Sequence, residues 1–221
     1  MITLRKSASL ALGALAAVSS AVPAFAHHPL GGAPMTSFAD GLLSGFGHPV
    51  LGFDHLFFVL AVGVAAMVAG RGLTAPFAYI AAMIAGVGLS ASGLGLPMAE
   101  AAIVVSLLVV GGMLVTGKTL HMRMVLPAFA IFGLFHGTAF GGALAEQESV
   151  SAAVLAGYLV GLGAIQYAIA LGAGFATAAF YKASDAGSVM PRMAGAAVAG
   201  VGTLLALEGI EGAAFTMLGL A

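Results

Sequence analysis

Cysteine is absent from the 221-residue chain. That excludes disulfides, iron–sulfur ligation and thiolate metal sites, so any transition metal handled here must use imidazole, carboxylate, backbone or water. Charge is scarce as well: 7% of residues are Asp, Glu, Lys or Arg, against 61% hydrophobic. An average soluble domain is about a quarter charged, and a surface this poor in charge does not suit water. The formal net charge is −1 and no basic cluster occurs. Nothing is therefore available to neutralise a phosphate backbone, and nucleic acid is not expected as a partner.

What is present comes in long uncharged apolar blocks rather than in strand-like alternation. The expected fold class is all-α, a polytopic membrane protein in one domain, and not an outer-membrane barrel. Residues 1–26 have a basic start (Arg5, Lys6), a small apolar run from Ala8 to Val18, and Pro23 before Ala24-Phe25-Ala26. This is the pattern of a cleaved secretory signal peptide, and the same run also reads as an uncleaved first membrane helix. With cleavage, the mature chain begins His27-His28-Pro29 and its N-terminus is periplasmic. Residues 27–49 are expected to form a periplasmic N-terminal entry segment, in which Thr36 to Gly47 is too short and glycine-rich to span and reads as an entry segment or an interfacial helix. Residues 50–221 are expected to form a six-helix transmembrane domain, with apolar blocks at roughly 50–70, 75–95, 98–116, 124–145, 151–180 and 193–212, each near the ~20 residues a span requires. The fifth is long enough to tilt or to extend as a cytoplasmic stub around Tyr181 and Lys182.

Basic residues favour short cytoplasmic loops. From a periplasmic N-terminus, the loops after spans one, three and five contain Arg71, then Lys118 and Arg123, then Lys182 and Arg192, which are all the basic residues beyond the signal segment. The expected location is the bacterial inner membrane, with both termini periplasmic. His27, His28, Asp40, His48, Asp54, His55, Glu100, Glu146, Glu148, Glu208 and Glu211 then lie in or beyond the periplasmic half; only Asp185 and His121 are cytoplasmic. Carboxylates and neutral imidazoles above a membrane path concentrate divalent cations, although each of Glu146, Glu148, Glu208 and Glu211 reads singly as a solvated helix end.

The informative segment is His48-Pro49-Val50-Leu51-Gly52-Phe53-Asp54-His55. Ionisable groups inside a membrane segment are costly and by default mark function. Pro49 suits a first helical turn, which puts His48 near the cap and Asp54 and His55 one to two turns inside. On a straight helix Asp54 and His55 point about 100° apart, and His48 and His55 share a face about 10 Å apart. The two histidines read as successive stations unless the helix start is distorted. His136, in Phe135-His136-Gly137 of the fourth block, is a second intramembrane imidazole; alone, such a residue is often a hydrogen-bonded packing group. Glu100, in Pro97-Met98-Ala99-Glu100, opens the third block and reads equally as a dipole-favoured N-terminal charge. Asp54, His55, Glu100 and His136 together make an N/O ligand set suited to nickel, cobalt or zinc.

With these elements the chain resembles the HupE/UreJ group of hydrogenase and urease accessory permeases over nearly its full length. The matching features are the signal peptide, the mature N-terminal histidine, the His-Pro-x-x-Gly-x-Asp-His element, the Pro-x-x-Glu helix start and the Phe-His-Gly helix. The resemblance implies a permease and not an enzyme, with Ni2+ or Co2+ as transported substrate, no permanently bound cofactor, and a functional link to hydrogenase or urease maturation. It carries His48, Asp54, His55 and Glu100 over as transport residues, and His136 with them. Relatives often read His-Gly-x-Ala-His-Gly in the fourth helix, where this chain has Phe140 at the second histidine.

The mechanism expected from these residues is collection of a divalent cation by periplasmic imidazoles and carboxylates, followed by transfer past Asp54, His55, Glu100 and His136. His27 and His28 are candidate entrance ligands, or simply a terminus. No nucleotide cradle is expected, so transport is passive, ion-coupled or driven by membrane potential. The alternative is an intramembrane zinc-dependent hydrolase in which His, Asp and His hold zinc and activate water. Oligomeric state is not readable, and the lipid bilayer is the one certain partner.

Overall fold

The structure is a computed structural model and describes residues 34–145, 150–182 and 185–220. The expected signal peptide, His27, His28, Glu146 and Glu148 lie outside the described residues. Within them every regular element is a helix: α1 (Phe38–Leu51), α2 (Phe53–Val68), α3 (Pro76–Ala91), α4 (Ala99–Val115), α5 (Met122–Ala145), α6 (Ala152–Tyr181) and α7 (Val189–Met217). Helices α2 to α7 follow the six apolar blocks in order. By length and composition α5, α6 and α7 each suffice to cross a membrane, and α1 with α2 passes as a fourth span bent by 84°. At 16 and 17 residues, α3 and α4 fall short of the ~20 a full span takes. Outward faces stay apolar, with Val105, Val109, Ile131, Val160, Phe175, Leu207 and Ile210 all exposed. A surface of that kind suits lipid rather than water.

Helix ends are set by local chemistry. At α1 the Ser37 hydroxyl accepts from the Asp40 backbone N–H at 3.2 Å, and the Asp40 carboxylate accepts from the backbone N–H groups of Ser37 and Thr36 at 2.9 and 3.0 Å. This reciprocal cap satisfies donors that the first turn leaves unpaired. It also assigns Asp40 a structural duty. Ser151 caps α6 through Val154, and Pro76 opens α3 where its missing N–H costs nothing.

The expectation of one straight helix starting at Pro49 is overturned. Pro49 lies inside α1, near its end, where its ring removes the bond to the Gly45 carbonyl. The chain then passes through Gly52 in an extended conformation (φ −84°, ψ 108°), and a new helix begins at Phe53. Asp54 and His55 therefore occupy the first turn of α2 rather than positions deeper in a continuous helix.

One stretch also runs against the expectation of no nucleotide cradle. Gly112 through Gly117-Lys118-Thr119 spells the phosphate-loop consensus. That motif needs a strand before it and a helix opening at its Lys-Ser/Thr. Here Gly112 lies within α4, and the Lys118-Thr119 pair sits in the connection that precedes Met122. The match carries no phosphate-binding geometry.

Glycine brings the helix backbones into contact. A methyl group added at Gly137 would lie 2.0 Å from the Met83 carbonyl oxygen, and one at Gly86 would lie 2.2 Å from that of Leu134, so α3 and α5 touch along their backbones. Gly41 and Gly45 seat α1 on the carbonyls of Val154 and Tyr158, where an added methyl would lie at 2.2 and 2.3 Å, and Gly63 seats α2 on that of Ala170, where one would lie at 2.0 Å. Small residues permit this approach where no hydrophobic force separates helix from lipid. Gly63→Ala should lower the apparent Tm of the detergent-solubilised protein by about 5 °C, since overpacking costs about 1–3 kcal/mol. Gly112→Ala, whose added carbon meets nothing within 4 Å, should leave Tm unchanged or raise it. Equal melting temperatures for the two variants would contradict this packing.

Candidate metal centre

The break at Gly52 folds the end of α1 back on the start of α2. His48 and His55 consequently come to 6.0 Å between ring centroids, closer than the straight helix of the sequence reading allows. His136 of α5 has no exposed surface, and its Nδ1 lies 3.0 Å from Nδ1 of His55. Three of the sequence-predicted residues, His48, His55 and His136, thus line one buried strip. Gly52 is required there: a methyl at this position would sit 2.9 Å from the His55 ring and 3.2 Å from the Asp54 carboxylate.

Asp54 flanks the strip without joining His136. Its Oδ1 accepts from the His55 backbone N–H at 2.8 Å, and its Oδ2 lies 3.9 Å from His55 Nδ1. A carboxylate in the first turn of α2 also meets the positive end of that helix. Glu100 is exposed in the first turn of α4. It shares a helical face with the buried Ile103 and Leu107 three and seven residues on, so it stands over the mouth of the core rather than inside it. Among the described residues no three His, Asp or Glu side chains converge to hold one ion. The arrangement offers pairs of ligands in succession.

Hydrogen-bond directions follow from proton counting. The Ser106 hydroxyl donates to the Ile103 carbonyl at 2.6 Å, so towards His136 Nε2, 3.0 Å away, it accepts. His136 then carries its proton on Nε2 and presents the Nδ1 lone pair to His55, which donates from its own Nδ1. The same logic holds outside: the Tyr158 hydroxyl donates to the Phe140 carbonyl at 3.0 Å and accepts from His48 Nδ1 at 3.1 Å. Each outer contact does for an imidazole what the partners around a metal-ligating histidine do, fixing its tautomer and its orientation.

Aromatic walls enclose the strip. Phe58 stacks on the His136 ring at 4.3 Å, and Phe140 lies 5.1 Å from His48 and 4.4 Å from His55. Phe140 therefore packs against both His48 and His55, which also face each other at 6.0 Å. Sequence reasoning missed Ser106 and Tyr158. The available signal was a polar group inside a long apolar run, which in lipid must find a partner.

In 15N-histidine-labelled protein in nanodiscs near neutral pH, NMR should report His136 as the Nε2–H tautomer, and Ser106→Ala should redistribute that proton. Protonation on Nδ1 of His136 in the unmodified protein would sink the assignment.

The HupE / UreJ protein family matches residues 15–205 of the chain. Protein HupE of Rhizobium leguminosarum bv. viciae is 33% identical over 188 residues, which cover 84% of this chain and 92% of that protein. No solved structure matches significantly. With a membrane-type helical fold and a family match spanning most of its length, the chain belongs to the HupE/UreJ family.

Proposed function

We propose that this protein is an inner-membrane permease that carries a divalent transition metal, nickel or cobalt, from periplasm to cytoplasm, and so supplies hydrogenase or urease maturation. The observation that carries the reading is the pair His55–His136, buried in an apolar core at a helix break with their Nδ1 atoms 3.0 Å apart. Ligands 2.1 Å from a metal and 90° apart stand about 3.0 Å from each other, whereas tetrahedral ligands stand about 3.4 Å apart. The observed spacing serves as a hydrogen bond without metal, and a small shift of the two rings brings both nitrogens within reach of one late first-row cation. Binding requires His55 to move its proton from Nδ1 to Nε2; His136 needs no change.

In this reading α1 and α2 form one broken first span and α3 to α7 the other five, with both termini periplasmic, Arg71, Lys118 and Lys182 in cytoplasmic connections, and Arg123 and Arg192 in the adjoining first turns of α5 and α7. Discontinuous helices that place ligands at mid-depth are a common solution for ion passage. Glu100, with His27, His28 and the acidic loop after α5, would gather cations outside. His48 would hand the ion to His55 beside Asp54, whose carboxylate offsets its charge, and His136 would take it onward. Inward movement is favoured by the membrane potential, at about 2.3 kcal/mol per charge per 100 mV. Paired ligands suit transit; a zinc hydrolase needs three protein ligands on one ion.

Radiolabelled nickel and cobalt uptake into cells expressing the protein should fall at least about tenfold in His55→Ala and in His136→Ala, given that even outer partners of a metal site are worth 10–100-fold. Uptake should also weaken as pH falls through the ordinary histidine range, because protonated imidazole cannot ligate. Full accumulation by a correctly inserted His55→Ala protein would refute the permease reading.

A further inference from the structure

A second polar pair lies beyond the histidines. Gln166 of α6 has no exposed surface and Tyr79 of α3 almost none. The Tyr79 hydroxyl donates to Gln166 Oε1, while Gln166 Nε2 has no hydrogen-bond partner. Buried amide groups are ordinarily satisfied, so a lone one in a membrane core marks a place where something polar sits for part of the time. Neither residue is needed to hold the histidines, whose nitrogens are engaged by Ser106, Tyr158 and one another.

Position along α5 gives the pair its meaning. The Tyr79 backbone abuts Gly133, three residues from His136 towards the end that bears Arg123. Phe140, with His48 and Tyr158, lies four residues the other way. The Tyr79 ring meets the His136 ring edge-on at 6.0 Å between centroids. Polar groups therefore occupy three successive levels of an otherwise apolar core: His48 with Tyr158, then His55 with His136, then Tyr79 with Gln166.

We propose that Tyr79 and Gln166 form an exit station, a low-affinity oxygen site that receives the divalent cation with part of its water shell as it leaves His136. The inference rests on the permease reading and assigns the step after the histidines. Imidazole pairs hold late first-row cations firmly, whereas neutral carbonyl and hydroxyl oxygens are poorer ligands for them. Conduction needs sites weak enough to leave, and a neutral oxygen pair between imidazole and water divides the release into two smaller steps. Rotation of the Gln166 amide by half a turn exchanges its oxygen and nitrogen with little change in shape. Its nitrogen then donates to the Tyr79 oxygen, and its carbonyl replaces the lone nitrogen on the open side. In that state the carbonyl faces the cation or its water; in the other, the nitrogen donates to water after the cation has passed.

The test uses the full protein reconstituted in liposomes loaded with a nickel-sensitive dye, alongside equilibrium nickel binding to the same protein in nanodiscs. Gln166→Leu and Tyr79→Phe should each lower the maximal rate of nickel entry about tenfold while Kd stays within about twofold of the unmodified value. His55→Ala should lose both. Unchanged entry rates in Gln166→Leu, or a loss of affinity parallel to the loss of rate, would overturn the exit station and leave Gln166 a packing residue. If Gln166→Leu does not yield monodisperse protein, Tyr79→Phe, which keeps the ring, decides by the same two measurements. Unmodified protein that neither binds nor admits nickel would defeat the permease reading itself, an outcome distinct from failure of the exit station alone.

Discussion

A buried imidazole persists in an apolar core only when its ring nitrogens are engaged, since a polar group withdrawn from water without a partner costs about 1–3 kcal/mol. His136 meets that condition through two different helices, Ser106 of α4 at Nε2 and His55 of α2 at Nδ1. The second contact requires α2 to begin where it does. Were the chain helical from Phe38 to Val68, His55 would fall two turns below His48 instead of beside it. Pro49 and Gly52 together interrupt the helix, so the chemistry of the strip depends on a backbone discontinuity rather than on any single side chain.

The discontinuity is stable because its neighbours are anchored by backbone contact. Gly41 and Gly45 fix α1 on α6, Gly63 fixes α2 on the same helix further along, and Gly86 with Gly137 fixes α3 on α5. Helices in lipid gain little from burying apolar surface, so close packing of small residues is what sets their positions. The result is a closely packed frame around a strip of polar groups. Hydrogen bonds between the side chains then settle tautomers, which looser helices could not do.

Much of this was legible in the sequence. Apolar blocks gave the order of helices α2 to α7, and the costly placement of Asp54, His55 and His136 in such blocks pointed to the strip. A distorted helix start was one of two readings, because Pro49 is equally at home in a first turn and inside a broken helix; the choice is made by Gly52 and by the seat on α6, which are tertiary facts. Ser106, Tyr158, Tyr79 and Gln166 were passed over because a single hydroxyl or amide in an apolar run has no periodic signature. Only the meeting of α3, α4 and α6 with the three helices that carry the histidines reveals which of them face the site. Asp40 went the other way, its carboxylate being taken up by a helix cap.

Phe140 shows how a single ring shapes the strip. The family resemblance leads to an expectation of histidine there, and the site is fully buried against both His48 and His55. An imidazole in that place would bring four rings into one continuous cluster, able to surround a single ion with nitrogen. Such a cage binds more tightly and, for the same reason, releases more slowly, whereas a carrier must let its cargo go. The phenyl ring offers no lone pair. On the proposed permease reading it leaves an ion there fewer imidazole ligands, with the remaining coordination falling to water or to the Asp54 carboxylate. In that reading the substitution trades affinity for faster release, and it does so without disturbing the contacts that hold His48 and His136 in place, because those run through the Phe140 backbone carbonyl and through Ser106.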